Sequence, residues 1–447
     1  MKELATEGTE NTEAAEPPRG LSGRLIVLIS ALTALVYFFS NPRPQNYYDY
    51  TFRVAGNLLG GKIAFTQPQP PWLNEFVPFE GFYYSVFPFG AVLSMIPAAL
   101  LKVIGFITQM PGAWIAAVLA GLACYLLLKI ASKYEVSRSK QILLTMVILF
   151  GTFAWTNLTF TGAWQLALGF AMVGEIGAIY FTVYDRRPLL AGLFFAMAFG
   201  NRTENLLTAP VFIYLLNRGD AETQSQSADN KNKTDKNPDT PIKSNGFFSS
   251  QRLSVSAVKN IALFCAFPFV LGVSTLIYNY VRFHSFTDFG YARIPGVLEE
   301  PWYNHGIFSV YYLPRQAWEM LIKSWEWKAV FPYLVPNGFS SSIIWSSPFL
   351  LLLWRFGSRD KMLKYAAWAA VTVLTLLLWI HGNSGGWQFG YRYAMVLLPW
   401  IFVIMLETAP KRITPIELVL CGISFLMNAY ATWLFHWTDY VENPNVT

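Results

Sequence analysis

Residues 24–62 read RLIVLISALTALVYFFSNPRPQNYYDYTFRVAGNLLGGK. The stretch opens on an unbroken apolar run, Leu25–Phe39, behind Arg24, and then changes character: Tyr47, Tyr48 and Tyr50 crowd around a single carboxylate, Asp49. From there Phe52, Ala55, Leu58 and Leu59 recur at helical spacing until Gly60-Gly61 stops them. The pattern predicts an anchoring helix followed by an amphipathic helix lying along a membrane surface, with Asp49 in its first turn. Asp49 could simply cap that helix, a common use of Asp. Its company in the same loop, Trp72, Glu75, Glu80, Tyr83 and Tyr84 beside the three tyrosines, also allows a functional role.

Composition sets the class. Hydrophobic residues are 54% of the chain and charged residues 13%, a balance that a soluble domain of this length cannot hide from water, because surface outgrows any single core. The chain reads as an all-α polytopic membrane protein. Aromatic residues at 17% favour the headgroup level, so long interfacial segments are expected. Cys124, Cys265 and Cys421 all fall inside apolar runs, without metal-ligand spacing, and read as small core residues. The net charge of +6 comes from short Lys/Arg clusters between apolar runs, not from a continuous basic stripe, which argues against a nucleic-acid partner.

About eleven spanning segments are expected, at 25–39, 113–131, 141–160, 163–183, 188–200, 205–216, 258–281, 344–356, 364–381, 393–408 and 414–434. Several fall short of a full span, which predicts tilted, broken or half-length helices. With the N-terminus cytoplasmic, Lys129/Lys133/Arg138/Lys140, Arg186/Arg187, the 217–259 stretch, Arg355/Arg359/Lys361/Lys364 and Lys411/Arg412 all fall inside. That agreement requires 87–107, which carries Pro88, Pro97 and Lys102, to re-enter or lie at the membrane surface; an ordinary span is the alternative. The organisation is then a disordered cytoplasmic tail (1–23), retained with its anchor rather than cleaved, and an N-terminal membrane module (24–216) with a first outer loop (41–112). A low-complexity cytoplasmic linker (217–257) and a C-terminal module (258–447) with a second outer loop (282–343) follow. His284, His305, His381 and His436 all lie on the outer face, none at metal-ligand spacing to another.

The order of motifs resembles the GT-C superfamily of integral-membrane glycosyltransferases that use polyprenyl-phosphate sugars, of the protein-mannosyltransferase and aminoarabinose-transferase type. The resemblance rests on the first anchor, the Asp49-bearing helix ending at Gly60-Gly61-Lys62, the Pro68/Pro70/Pro71 turn and the stretch Gly81–Gly90. Tyr278-Asn279 through Arg282–Phe286 to Phe289-Gly290-Tyr291, and Gly390-Tyr391-Arg392-Tyr393, extend it. It implies a GT-C-like bundle of about eleven transmembrane helices with juxtamembrane helices in the outer loops. It also implies a catalytic carboxylate at Asp49. Many members carry a second acidic residue beside it, whereas Asp49 is flanked by Tyr48 and Tyr50. That departure weakens the case for a divalent cation, since hard cations want several carboxylate oxygens; no other cofactor is expected.

The chemistry agrees. A sugar on a lipid phosphate leaves as a stabilised anion, so no acid is required, only one base for the acceptor hydroxyl and cationic donors for the phosphate. A single displacement of that kind inverts the anomeric centre. Arg392, in a Gly-rich aromatic turn, suits bidentate phosphate binding. Arg202 with Glu204 could serve likewise or form an internal ion pair, and Arg293 could bind or stay solvated. Tyr391, Tyr83, Tyr84, Glu80 and Tyr291 complete the candidate substrate-binding set. Glu175, apparently mid-membrane, is a functional suspect or a structural hydrogen-bond hub. Trp318, Leu321, Ile322, Trp325 and Ala329 predict a second interfacial helix. The leading function is a hexosyl- or pentosyltransferase moving one sugar from polyprenyl phosphate to a glycan, lipid or protein acceptor at the extracytoplasmic face, with membrane lipids as neighbours. The alternative is a lipid or glycan transporter or flippase, which would place charges near the midplane within inverted repeats.

Overall fold

The computed structural model describes residues 20–218 and 255–441. The tail and the linker expected at 1–23 and 217–257 lie, apart from a few edge residues, outside the described residues. The first anchor is α1 (Gly23–Phe39), capped by Ser22, whose hydroxyl accepts from the Leu25 amide. The amphipathic segment is α2 (Tyr50–Leu59). A hairpin follows, β1 (Phe76–Phe79) and β2 (Phe82–Ser85), antiparallel with Phe76 opposite Ser85. Glu80 and Gly81 at its tip both have positive φ, which suits the tight turns that join twisted strands. Then come α3 (Phe89–Ser94), α4 (Ile96–Val103), α5 (Gly112–Ala131), α6 (Arg138–Phe150) and α7 (Ala154–Phe160). They are followed by α8 (Ala163–Ile179), which runs on as a π-turn through Tyr184, and α9 (Pro188–Asn201). A 3-10 turn, Thr203–Thr208, leads into α10 (209–218).

The second half starts with α11 (Val255–Phe283), the longest helix described. The second loop is a chain of 3-10 turns ending in α12 (Leu313–Leu321), followed by a two-residue pair of strands, β3 (Glu326–Trp327) and β4 (Leu334–Val335). The rest is α13 (Ile343–Ser346), α14 (Lys361–Ile380), α15 (Leu398–Thr408) and α16 (Pro415–Trp437). Every residue of α8 except Trp164 and Phe170 is buried, as is α15 from Leu398 to Glu407. These two helices are the centre of the bundle. By contrast α1 and α11 expose Val27, Leu28, Leu32, Phe269, Val270 and Ile277. Such a face has no place in water and fits acyl chains.

The eleven expected spans are not all present. Among the described residues five helices are long and apolar enough to cross a membrane: Gly112–Ala131, Ala163–Tyr184, Val255–Phe283, Lys361–Ile380 and Pro415–Trp437. A sixth appears if α6 and α7, bent by 50°, count as one. The 344–356 and 393–408 runs break into short helices and 3-10 turns at Pro348 and Pro399, where ring geometry removes a helical hydrogen bond. The 87–107 segment is the pair α3 and α4, six and eight residues long, each below the length of a span. The expected interfacial helix around Trp318–Ala329 ends at Leu321, leaving Trp325 beyond it; Gln316 and Met320 form its buried side, and Trp318 and Ile322 stay exposed.

Small residues bring the helices close. An added Cβ at Gly174 or Gly177 would strike Ala198 or Phe194 of α9, and one at Gly90 would strike Gly200. Backbone therefore meets backbone where α3 crosses the end of α9. That contact brings the first loop onto the last turn before Arg202. Arg282, buried at the end of α11, donates to the Ser85 carbonyl and to Asn279 Oδ1 (2.6 Å), tying β2 to the second module.

Candidate active site

The first loop is laid over the start of α8 by main-chain bonds: the Gln45 amide donates to Phe160 O (2.9 Å) and the Ala163 amide to Tyr48 O (2.9 Å). This sets Trp164, in the first turn of α8, against Tyr48 (4.9 Å between centroids) and Tyr50 (5.1 Å). Its indole Nε1 donates to both carboxylate oxygens of Glu75, at 2.9 and 2.8 Å. Tyr50 is wholly buried, its hydroxyl within 3.1 Å of Asn74 Oδ1 and 3.3 Å of Trp72 O. Glu75, just before β1, is thus enclosed by protein while keeping partial exposure.

From the other side come two arginines. Arg202 ends α9 and pairs with Glu204 at 2.7 Å. Arg392 follows a tight turn at Gly390 (φ 68°), held by Asn157, which donates to Phe389 O (2.7 Å) and accepts from the Phe389 amide (3.1 Å). Gln388 Oε1 accepts from the Arg392 amide at 2.8 Å. The two guanidinium groups share one ring: Tyr393 has Arg202 at 4.7 Å and Arg392 at 5.2 Å from its centroid. Arg392 is 7% exposed, makes a long 3.4 Å bond from Nη1 to Trp387 O, and its buried Nε has no partner. A buried guanidinium with a donor that no protein group takes is suited to an anionic acceptor.

The second loop closes the cluster. Tyr291 and Tyr303 share a hydroxyl hydrogen bond of 2.9 Å, and Trp302 Nε1 donates to Glu300 Oε2 at 2.6 Å. Burial pushes the Glu75 carboxyl up to about 7; the Trp164 hydrogen bond and the charges of Arg392 and Arg202 oppose this, and Glu300 adds to it. The Tyr291 hydroxyl is raised by burial, then by Tyr393, Tyr303 and Glu75. One carboxyl poised near neutrality, two guanidinium groups and a ring of phenols therefore act on one another at one place.

Of the residues expected from sequence, Arg202, Arg392 and Tyr291 meet here. Asp49 is buried at the N-cap of α2 but makes no capping hydrogen bond; its Oδ1 accepts from Arg53 Nε at 2.6 Å. It neighbours Tyr50, whose hydroxyl feels both Glu75 and Asp49. Tyr391 is fully buried: its ring lies 6.3 Å from that of Tyr393, and its hydroxyl turns away to donate to Gln316 Oε1 (2.8 Å) of α12. Glu80, Tyr84 and Arg293 form a second, more exposed group around Phe79 and Phe283: Glu80 pairs with His284 (3.1 Å) and Arg293 with Asp288 (2.7 Å). Tyr83 is engaged through its main chain with Phe65. Glu175 Oε1 accepts from Trp400 Nε1 (2.7 Å) and Thr208 (3.0 Å) inside the bundle, the hub alternative, and its Oε2 is left without a partner. Trp164, Glu300, Tyr303 and Tyr393 are added by the structure, and Glu75, read from sequence only as company for Asp49, joins them. Adjacency to Arg392 could have drawn attention to Tyr393. Among the described residues no three of His, Cys, Asp and Glu gather where a metal ion could sit, and Asp49 is already committed to a guanidinium.

No family model and no curated protein matches the chain. The crystal structure of the Archaeoglobus fulgidus oligosaccharyltransferase in the apo form aligns with 94% of this chain and 56% of that one, at 11% identity and a TM-score of 0.37. This chain thus spans about half the length of that protein, and a likeness so distant carries no argument about activity.

Proposed function

We propose that the chain is an inverting membrane glycosyltransferase that moves one sugar from a polyprenyl-phosphate donor to an acceptor at the extracytoplasmic face. The observation that carries this reading is the pair Arg202 and Arg392, both beside the Tyr393 ring, at 4.7 and 5.2 Å from its centroid, the second with a buried donor that no protein group takes. Such a pair grips a phosphate and stabilises the charge that gathers on it as the sugar leaves. Asp49 acts as the base. Its Oδ1 is fixed by Arg53, which orients Oδ2 to accept the proton of the acceptor hydroxyl. The sugar carbon exchanges its bond to the phosphate oxygen for one to the acceptor oxygen, and the bonding pair stays on the phosphate. Aromatic residues of both loops, Tyr291 and Tyr303 among them, wall the reacting sugar. Exposed apolar faces on α1 and α11 give a prenyl chain lipid access to the bundle.

The test is transfer by purified protein in lipid, supplied with a panel of radiolabelled polyprenyl-phosphate sugars and a lipid or glycan acceptor. Wild type is expected to move label from one donor, and Asp49→Asn to be slower by about 10²–10⁴-fold. Undiminished transfer by a folded Asp49→Asn would remove the base assignment. Label left in place by wild type across the whole panel would remove the enzyme.

A further inference from the structure

The proposed reaction leaves Glu75 without a task, yet it stands among the groups that would hold the phosphate. The charged and titratable groups facing it come from every element packed there. They are Tyr50 of α2, with Asp49 and Tyr48 behind it, Arg202 after α9, Tyr291 and Glu300 of the second loop and Arg392 before α15; next to these stand Glu204 on Arg202, Tyr303 on Tyr291 and Tyr393 beside both arginines. From α8 the contact is the neutral indole of Trp164. Three carboxyl groups, Glu75, Glu204 and Glu300, thus accompany two guanidinium groups. Glu204 is spoken for by Arg202 (2.7 Å) and Glu300 by the Trp302 indole (2.6 Å). Both oxygens of Glu75 share a single N–H, which leaves them short of donors.

We propose that Glu75 is the proton-exchanging counter-charge of the phosphate site: at pH 8 it is ionised while no anion sits at Arg202 and Arg392, and protonated when a lipid monophosphate occupies them. This deepens the reading above and rests on it. A sugar phosphodiester carries one negative charge, and the monophosphate left after transfer carries nearly two at neutral pH. With three carboxylates already present, the second charge is accommodated by converting one carboxylate to the acid, the proton coming from water through the exposed edge of Glu75. Burial favours this exchange, because an enclosed carboxylate is the form that the site tolerates least once its guanidinium partners are neutralised. Glu75 touches neither bond that changes. It sets how tightly the product is held, and hence how release depends on pH.

The experiment is calorimetric titration of the reconstituted full chain with a polyprenyl monophosphate at pH 8, in two buffers of different ionisation heat. The difference counts protons taken up per phosphate bound. Wild type is expected to take up about half to one proton more than Glu75→Gln, and Glu75→Gln to hold the monophosphate about tenfold more tightly at that pH. Equal uptake by two proteins that both bind would overturn the proposal and leave the phosphate site standing. Absence of binding by wild type would overturn the phosphate site itself. Infrared difference spectra of wild type need no variant: a protonated-carboxyl band that titrates near pH 7 should move to higher pH on adding monophosphate. A band that stays in place would count against Glu75 as surely as the calorimetry.

Discussion

Two charged clusters stand at opposite ends of α14, whose 20 residues separate them by about 30 Å. At the Asp360 end, Lys140 Nζ donates to Pro410 O (2.7 Å), Arg412 O (2.9 Å) and the Glu417 carboxylate (2.8 Å). Glu417 also takes Arg355 (2.6 Å) and closes the capping box of α16 with Thr414. Glu407 accepts from Tyr134 (2.8 Å), Ser358 (3.1 Å) and the Asp360 amide (2.6 Å). At the His381 end, Arg392 keeps an idle donor and Glu75 shares one indole N–H between two oxygens. Buried charges cost little once every lone pair and proton is matched, and much when they are not. The saturated cluster is architecture; the unsaturated one is the proposed phosphate site.

Substitutions should separate the two. The largest effect on chemistry is expected from Arg392→Ala, with sugar transfer down about 10²–10³-fold and thermal unfolding nearly unmoved, read by transfer assay and melting together. Lys140→Met should do the reverse: stripping Glu417 of its ammonium destabilises by about 3–5 kcal/mol, measured as a lowered unfolding midpoint, with the protein that remains folded transferring sugar normally. If the Arg392 variant melts early instead, the supposed open cluster is structural.

A smaller, pH-dependent effect belongs to Glu75. Its carboxyl lies near 7 against an ordinary 4.5, chiefly through burial. The folded state therefore prefers the acid. Stability from this group is complete below the ordinary value and is lost as pH rises through about 7. Melting of wild type should accordingly fall behind that of Glu75→Gln between pH 5 and pH 9, by about 2–4 °C; parallel curves would contradict the burial. The smallest effect is expected from Glu80→Gln and Arg293→Ala in the exposed group. Those pairs lie where solvent screens them, so stability should change by about 1 kcal/mol or less and transfer by under about twofold.

How much of this was legible follows from what a sequence carries. Apolar runs and the amphipathic stretch after Asp49 announced a helical membrane protein, and α2 formed where its spacing said, burying Phe52 and Ala55 though not Leu59. Hydropathy counts apolar residues without asking whether a helix is continuous, so the runs broken at Pro348 and Pro399 read as spans. Arg202 and Arg392 stood out because charge beside an apolar run is conspicuous. Glu75 did not, since its enclosure arises only when the first loop is laid over Trp164 and the second loop folds back with Glu300 and Tyr291. Tyr391 and Arg392 are neighbours in the chain, yet the 3-10 turn sends one hydroxyl into α12 and the other side chain toward Tyr393. Adjacency cannot tell these apart.

The central claim, an anion site at Arg202 and Arg392, is tested most directly by equilibrium binding of a radiolabelled polyprenyl monophosphate to the protein in lipid nanodiscs. Wild type and Lys140→Met should bind alike, and Arg392→Ala about a hundredfold more weakly. Equal binding by all three would contradict the account.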